Sequence, residues 1–317
     1  MSQSLIIGVN GQDGIFLTRL LEKQGNTVTG ISTKSIPSNH LPKSIEYIEG
    51  DLRDTKKIVQ IVLERDINEI YNLAALSSVA QSYKQPKLTQ EVNYLAVRNL
   101  LDMVYSEPSL KECKFFQASS SEMFGYVNSH PQNENTPFNP QSPYGLAKLD
   151  AHLYCKSIRE EGFFVCSGIL YNHESSYRPS TFISKKVTST VARISLGFEE
   201  RLYVGNVDAE RDWGAAEEYV EAIWRIINYR DPLDFIVATG KSHTVRDLIR
   251  YALESVSLES KFDELVKVDK ELFRPIDLIK TVGDPSFILK TLGWQSNQNL
   301  KKIVSDMIHA DLINEAR

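Results

Sequence analysis

Three glycines, with two residues between each and the next, punctuate Gly8-Val9-Asn10-Gly11-Gln12-Asp13-Gly14. Before them stands Leu5-Ile6-Ile7-Gly8-Val9, an apolar run of the length of a buried strand. After them residues 15–23 carry apolar side chains at 15, 16, 17, 20 and 21, the spacing of a helix laid on a sheet. A strand, a glycine turn and a helix in that order point to parallel α/β architecture, in which each helix returns the chain for the next strand. The glycines allow a tight turn and a close approach of backbone to a pyrophosphate, which then rests on the positive helix N-terminus. A dinucleotide seat on Gly8, Asn10, Gly11, Gln12, Asp13 and Gly14 is the functional reading. A plain structural turn is the alternative.

The first half repeats the alternation. Strands are expected at 27–31, 45–51, 69–73, 114–118 and 164–170, with helical stretches between several of them. After Asn172 the loops lengthen, and short helices at 187–196, 215–227 and 245–255 mix with isolated strands. The expected fold is α/β: a Rossmann-type doubly wound parallel sheet over 1–171, then a smaller C-terminal α/β lobe over 172–317. That lobe forms the substrate side of a cleft and sends strands and helices back to the first domain.

Composition narrows the function classes. The formal net charge is −5 and the pI about 5.8, so no broad basic surface draws nucleic acid or anionic lipid. Three widely spaced cysteines without a CxxC argue against a disulfide framework or a zinc site, and no metal is expected. No basic, apolar leader and no apolar run of about 18 residues is present, so a cytoplasmic location is expected.

An acid at the end of the second strand would bind the ribose hydroxyls of NAD. The chain instead reads Ile31-Ser32-Thr33-Lys34-Ser35. Lys34, with the hydroxyls of Thr33 and Ser35, suits a 2′-phosphate, so NADP is favoured over NAD; a solvated surface lysine is the competing reading. Asp51-Leu52 is placed to meet the adenine, and Leu73-Ala74-Ala75 offers small residues against the cofactor. Both are otherwise ordinary strand ends.

Ser119-Ser120-Ser121-Glu122 follows the fifth expected strand, and Tyr144-Gly145-Leu146-Ala147-Lys148 comes later in the chain. Tyr144 and Lys148 share a face if helical. A lysine beside a phenol, with a serine hydroxyl, forms a proton relay for moving hydride at a carbinol carbon. Glu122 adds a carboxylate able to take a proton next to a new ketone, which permits β-elimination; capping a turn is its structural alternative. Arg178, Lys185, Lys186, Arg211 and Arg274 are candidate cations for a diphosphate. A lone surface ion pair is the bland reading of each.

Through nearly its whole length the chain resembles the GDP-mannose 4,6-dehydratases of the extended short-chain dehydrogenase type. The likeness rests on Gly11-Gln12-Asp13-Gly14, Tyr71-Asn72-Leu73-Ala74-Ala75, Gln117 to Gly125, Ser142-Pro143-Tyr144-Gly145 and Asn172-His173-Glu174-Ser175. It extends through Asn206 to Gly214, Phe273-Arg274-Pro275, Gly283-Asp284 and Leu292-Gly293-Trp294. The resemblance implies Ser120 in the position of the family's catalytic threonine, Glu122 as base and Tyr144 with Lys148 as redox pair. It places Ser77, His173 and Arg178 on the cofactor. Ser82, Asn172, Lys186, Arg211, Arg274, Asp277 and Glu122 fall to a GDP-sugar substrate. It also implies oxidation at C4, loss of the C5 proton with the C6 hydroxyl as water, and hydride return to C6.

Departures bear on cofactor, sugar and assembly. Thr33 and Lys34 stand where the family has two arginines, Leu76 for a glutamine, Ala215 for a histidine and Tyr177 for an arginine. The loop after Lys34, which in the family reaches a neighbouring subunit, is shortened. A homodimer is therefore expected, with a tetramer as the alternative. The sugar expected on the nucleotide is mannose or a related hexose, an amino sugar or a heptose. Rival readings are an NADP-dependent C4 reductase or epimerase, against which Glu122 argues, and a non-catalytic NADP-sensing protein, against which the intact relay argues.

Overall fold

The computed structural model describes residues 2–127 and 129–316. Twelve strands are present among them: β1 (Gln3–Ile7), β2 (Thr27–Ser32), β3 (Glu46–Glu49), β4 (Glu69–Asn72), β5 (Lys114–Ser120), β6 (Val165–Leu170), β7 (Asn172–Glu174), β8 (Leu202–Val204), β9 (Glu210–Ala215), β10 (Asp234–Val237), β11 (Ser242–Thr244) and β12 (Val266–Val268). The helices in the first half are α1 (Gln12–Lys23), α2 (Thr55–Glu64), α3 (Val79–Lys84), α4 (Pro86–Gln90), α5 (Ala96–Ser106) and α6 (Pro143–Glu160). Those in the second are α7 (Ile183–Ser195), α8 (Ala216–Ile227), α9 (Val245–Glu254), α10 (Phe262–Leu265), α11 (Ser286–Leu292) and α12 (Leu300–Glu315).

Seven strands form one parallel sheet in the order β10-β6-β5-β4-β1-β2-β3. Its apolar runs are continuous because both faces are covered. On one face Leu5, Ile7, Ile70, Phe115 and Val165 pack with Ile58 and Val62 of α2, Leu100 and Val104 of α5, and Ala151 and Ile158 of α6. On the other, the alternating neighbours Ile6, Tyr71, Phe116 and Cys166 meet Leu17 and Leu21 of α1, Tyr219 and Ile223 of α8, and Ile288 of α11. The order reverses between β1 and β4, which leaves a crevice beyond their carboxyl ends.

The second half contributes to two units. A smaller lobe holds β7, β9 and β11 in one sheet and β8 with β12 in another. Its core joins Val187 and Val191 of α7, Leu248 and Leu253 of α9, Val304 and Ile308 of α12, and Trp213. β10, α8 and α11, although later in sequence than 172, complete the large sheet and its second face. α9 begins at a reciprocal cap: the Thr244 hydroxyl accepts from the Asp247 amide while the Asp247 side chain accepts from Thr244. All three cysteines are buried and free. Among the described residues no cluster of potential metal ligands occurs, and no helix is long and apolar enough to cross a membrane.

Candidate active site

A cavity of about 980 Å³ opens at the carboxyl ends of the large sheet, between its edge and the smaller lobe. Its floor begins at the glycine turn. Gly8 has φ +93°, and a Cβ there would lie 2.9 Å from the Ala74 nitrogen; one on Gly14 would lie 2.5 Å from the Val9 oxygen. Only glycine lets α1 start so close to β1 and β4. Gly11 caps α1 without any side-chain bond, so the first-turn amides keep their hydrogens for an anion.

The polar side chains of this turn are mostly engaged within the protein. Gln12 Nε2 donates to the His173 carbonyl at 2.8 Å and its Oε1 accepts from Ser175 at 2.9 Å. His173 Nδ1 lies 2.7 Å from the Tyr171 carbonyl and Nε2 lies 2.9 Å from Asp13 Oδ2. Both partners are acceptors, so the pocket suits the imidazolium form, which donates from both ring nitrogens. Burial opposes its charge, yet Asp13 outweighs burial and holds His173 above its ordinary value of 6.5. Burial likewise pushes Asp13 up, but His173 and Arg178 bring it below 3.8. Asp13 Oδ1 remains buried without a partner, an acceptor ready for a ligand hydroxyl. Asn10 is spent on the loop that follows β2: its Nδ2 reaches Tyr47 Oη at 2.9 Å and the Ile36 carbonyl at 3.2 Å, and its Oδ1 accepts from the Ser38 amide at 2.9 Å.

The reactive corner is built by β5 and α6. Ser120 ends β5, and its hydroxyl accepts from the Glu122 amide at 3.3 Å, turning residues 121–123 out of the strand direction. The Ser142 hydroxyl accepts from the Gly145 amide and Pro143 occupies the first turn, so α6 starts immediately before Tyr144. A Cβ on Gly145 would sit 2.6 Å from the Glu122 carbonyl oxygen, and this contact brings the Glu122 turn against α6. Tyr144 and Lys148, one turn apart, are both buried. Burial drives the Tyr144 phenol up to about 12, with the Glu122 charge adding, while the Ser120 hydroxyl and Arg178 act downward. Lys148 Nζ donates to the Ala118 carbonyl at 2.9 Å and lies 5.9 Å from the centre of the Tyr144 ring; burial pulls it down to about 8. The Ser119 hydroxyl is bonded to His152 Nδ1 at 3.0 Å, which leaves Ser120 as the serine beside the phenol.

The opposite wall carries charge. Arg211, on β9, donates Nη2 to Asp277 at 2.8 Å and Nη1 to the Leu278 carbonyl at 2.7 Å. Arg274 Nη1 stands 3.9 Å from Glu122 Oε1. The neighbour of Arg211, Asp212, is fully buried and accepts from the Thr239 amide and hydroxyl and from the Gly240 amide. Burial raises Asp212 to about 6. That anchor faces inward, so alternation along β9 turns Arg211 to the cleft.

The cavity gathers the glycine turn, Thr33, Lys34, Asp51, Leu52, Leu73 to Ala75, Ser77, Ser120, Glu122, Tyr144, Lys148, Asn172, His173, Arg178, Lys186, Arg211, Arg274 and Asp277. Three expected residues lie elsewhere. Ser35 is exposed outside the cavity lining; Ser82 is buried and donates its hydroxyl to the Val79 carbonyl at 2.7 Å within its own helix. Lys185 bonds to Asp311 of α12 and to the Ser176 carbonyl at 3.0 Å, and so ties the lobe together. Sequence reasoning passed over Glu174, whose buried carboxylate takes the Ser184 hydroxyl and lies 3.1 Å from Arg178 Nε. Its signal was present in the Asn172–Ser175 string. It also passed over Arg53, one residue beyond Asp51-Leu52. The substituted position Tyr177 packs on His40 at 4.4 Å and on Phe16 at 5.3 Å, closing the loop after Lys34 onto its own chain.

A model of the family described as GDP-mannose 4,6 dehydratase matches residues 5–307. The GDP-mannose 4,6-dehydratase of Yersinia enterocolitica is 36% identical, with 98% of this chain and 94% of that protein covered. GDP-mannose 4,6 dehydratase 1 of Arabidopsis thaliana is 37% identical over 98% of this chain and 89% of its own length. Among solved structures, the UDP-glucose 4-epimerase of Thermotoga maritima with UDP-glucose superposes with a TM-score of 0.87 at 22% identity, covering 99% of each chain, a likeness of fold.

Proposed function

Since the chain belongs to the GDP-mannose 4,6-dehydratase family, we propose that it removes water from a GDP-linked hexose to give the GDP-4-keto-6-deoxy sugar, with NADP in the sheet-edge half of the cleft. The observation that carries this reading is Glu122 turned into the same cavity as Tyr144 and Lys148, opposite Arg211 and Arg274. The glycine turn, the uncapped start of α1 and the orphan Asp13 oxygen fit a dinucleotide. When bound, its nicotinamide supplies a hydride acceptor that later gives the hydride back.

The protein groups then divide the proton work. Tyr144 takes the proton from O4 as C4 is oxidised, and Ser120 holds that oxygen by a hydrogen bond. Lys148 supplies the nearby cation that favours phenolate over phenol. With a ketone at C4, the C5 hydrogen becomes acidic; Glu122 removes it and passes a proton to the C6 hydroxyl, which departs as water, and the proton held by Tyr144 balances C5 when the hydride is returned to C6. Arg211 and Arg274 hold the diphosphate, which fixes the sugar at that corner. Exposed Leu146 and Leu153 on α6 support a homodimer through this helix, and the loop after Lys34, folded onto its own chain, supports a dimer over a tetramer.

Incubation with GDP-mannose and with GDP-linked amino sugars and heptoses, read by mass spectrometry, tests the reading. A product lighter by the mass of one water, with no net change in the dinucleotide, is expected. A product two hydrogens heavier, or an isomer of unchanged mass, would transfer the site to the reductases or epimerases. No product from any GDP-sugar would end the dehydratase proposal.

A further inference from the structure

β2 and β3 run parallel with Ser32 opposite Glu49, and the Gly50 amide donates to the Ser32 carbonyl at 2.8 Å. What leaves the two strands therefore emerges at one place. Thr33 and Lys34 follow β2, Asp51 and Arg53 follow β3, and all four line the cavity. Two cations thus flank the end of the cleft where an adenosine ribose would lie.

Arg53 is held in an oriented posture. Its amide and Nε both reach Asp51 Oδ1, at 2.9 and 3.0 Å, and its Nη2 reaches Oδ2 at 2.7 Å. A guanidinium has five N–H donors. This fork uses Nε–H and one Nη2–H, so three remain, directed away from the carboxylate. The side chain is 49% exposed, so as an ion pair it contributes little to stability. Its effect lies in where it points a fixed planar donor set suited to a phosphate.

We infer that Arg53 and Lys34 together form a two-cation seat for the adenosine 2′-phosphate, with Asp51 as the positioning residue that aims the Arg53 guanidinium. The inference rests on the NADP reading above and supplies the arginine that the segment after β2 lacks. It also gives Asp51 a task other than meeting the adenine.

Calorimetric titration of the purified protein with NADP⁺, NAD⁺, 2′,5′-ADP and ADP tests it without turnover. Arg53→Ala should weaken NADP⁺ and 2′,5′-ADP on the order of 10- to 100-fold, the loss of a charged hydrogen-bonded contact, and leave NAD⁺ and ADP unchanged. Arg53→Lys should recover part of the loss, and the wild-type preference should shrink as salt is raised. Arg53 lies on an exposed turn, and an unchanged melting temperature confirms that the variants fold. Equal weakening of NADP⁺ and NAD⁺ would mean that Arg53 contacts the adenine or ribose common to both, and would overturn the inference. So would an Arg53→Ala protein that binds all four ligands like the wild type. A wild type that prefers NAD⁺, or binds neither dinucleotide, would instead remove the cofactor reading and this seat with it.

Discussion

Two buried cations, one in each half of the cleft, are stabilised by different partners. Lys148, on the sheet side, has a backbone carbonyl as its hydrogen-bond partner, and burial brings it down to about 8. Arg211, on the lobe side, is bound by Asp277 and by the Leu278 and Glu210 carbonyls. The contrast extends to their surroundings. At the glycine turn the groups free for a diphosphate are backbone amides, while the side chains of Asn10 and Gln12 and one oxygen of Asp13 are engaged within the protein. Where the lobe meets the turn after β5, Arg274, Arg211 and Asp277 face Glu122 as charges. A backbone site depends on local conformation. A charged site depends on side chains that remote segments bring together.

The largest effect should come from the charged half. Glu122→Gln keeps the shape of the corner and removes the proton acceptor, so dehydration should fall on the order of 1,000-fold, while NADP⁺ affinity by calorimetry stays at the wild-type value. A rate within tenfold of wild type would show that another group takes the C5 proton. The elimination chemistry would then not depend on the charged wall at all.

Lys148→Met sharpens the other side. The folded state holds the Lys148 ammonium at a cost, since its value drops from 10.5 to about 8. Between those values the unfolded chain binds more protons than the folded one, so stability rises with pH across that window and the full penalty applies below it. That penalty is about 3 kcal/mol. Methionine should therefore stabilise the protein at pH 7 by somewhat less than this, because the Ala118 carbonyl loses its donor, and the gain should fade towards pH 10. Denaturant titrations at the two pH values measure it, and turnover should collapse in the same variant. A methionine variant less stable than wild type at pH 7 would show that Lys148 has charge compensation and that the contrast with Arg211 is false.

This division also explains what could be read from the chain alone. The parallel sheet and the glycine turn are local: strand, turn and helix lie within residues 3–23, and period-two burial of Ile6 against Leu5 and Ile7 is set by the pleat. Tyr144 and Lys148 are likewise tied by one helical turn. The seventh strand, β10, was not legible, because its four residues join the sheet only through pairing with β6, more than sixty positions earlier. Ser82 misled because it lies in a helix beside the cleft while its hydroxyl is satisfied within its own turn. Lys185 misled for the opposite reason: Asp311, a partner far along the chain, captures it. Arg53 and Glu174 adjoin residues already singled out, yet their roles depend on neighbours that spacing does not reveal.

The smallest effect concerns a charged side-chain link between β7 and the glycine turn. His173, on β7, clamps Asp13 of the phosphate turn, and each group needs its charge. His173 is held above 6.5, so its share of stability is complete below that value and is lost as pH rises through the folded one. Asp13 is held below 3.8, so its share is present above that value and is lost as pH falls through the folded one. The clamp is thus whole between about pH 4 and 6.5. His173→Gln, which can still donate a neutral hydrogen bond to Asp13, should lose about 1 kcal/mol against wild type in that window and less on either side. NADP⁺ affinity of the wild type should decline over the alkaline limb, because a released Gln12-Asp13 turn no longer presents its amides in one geometry. A stability difference that stays flat from pH 4 to 9 would mean that His173 is neutral in the fold. The sheet-edge half would then brace itself without any charge, and the separation between a backbone site and a charged site would be complete.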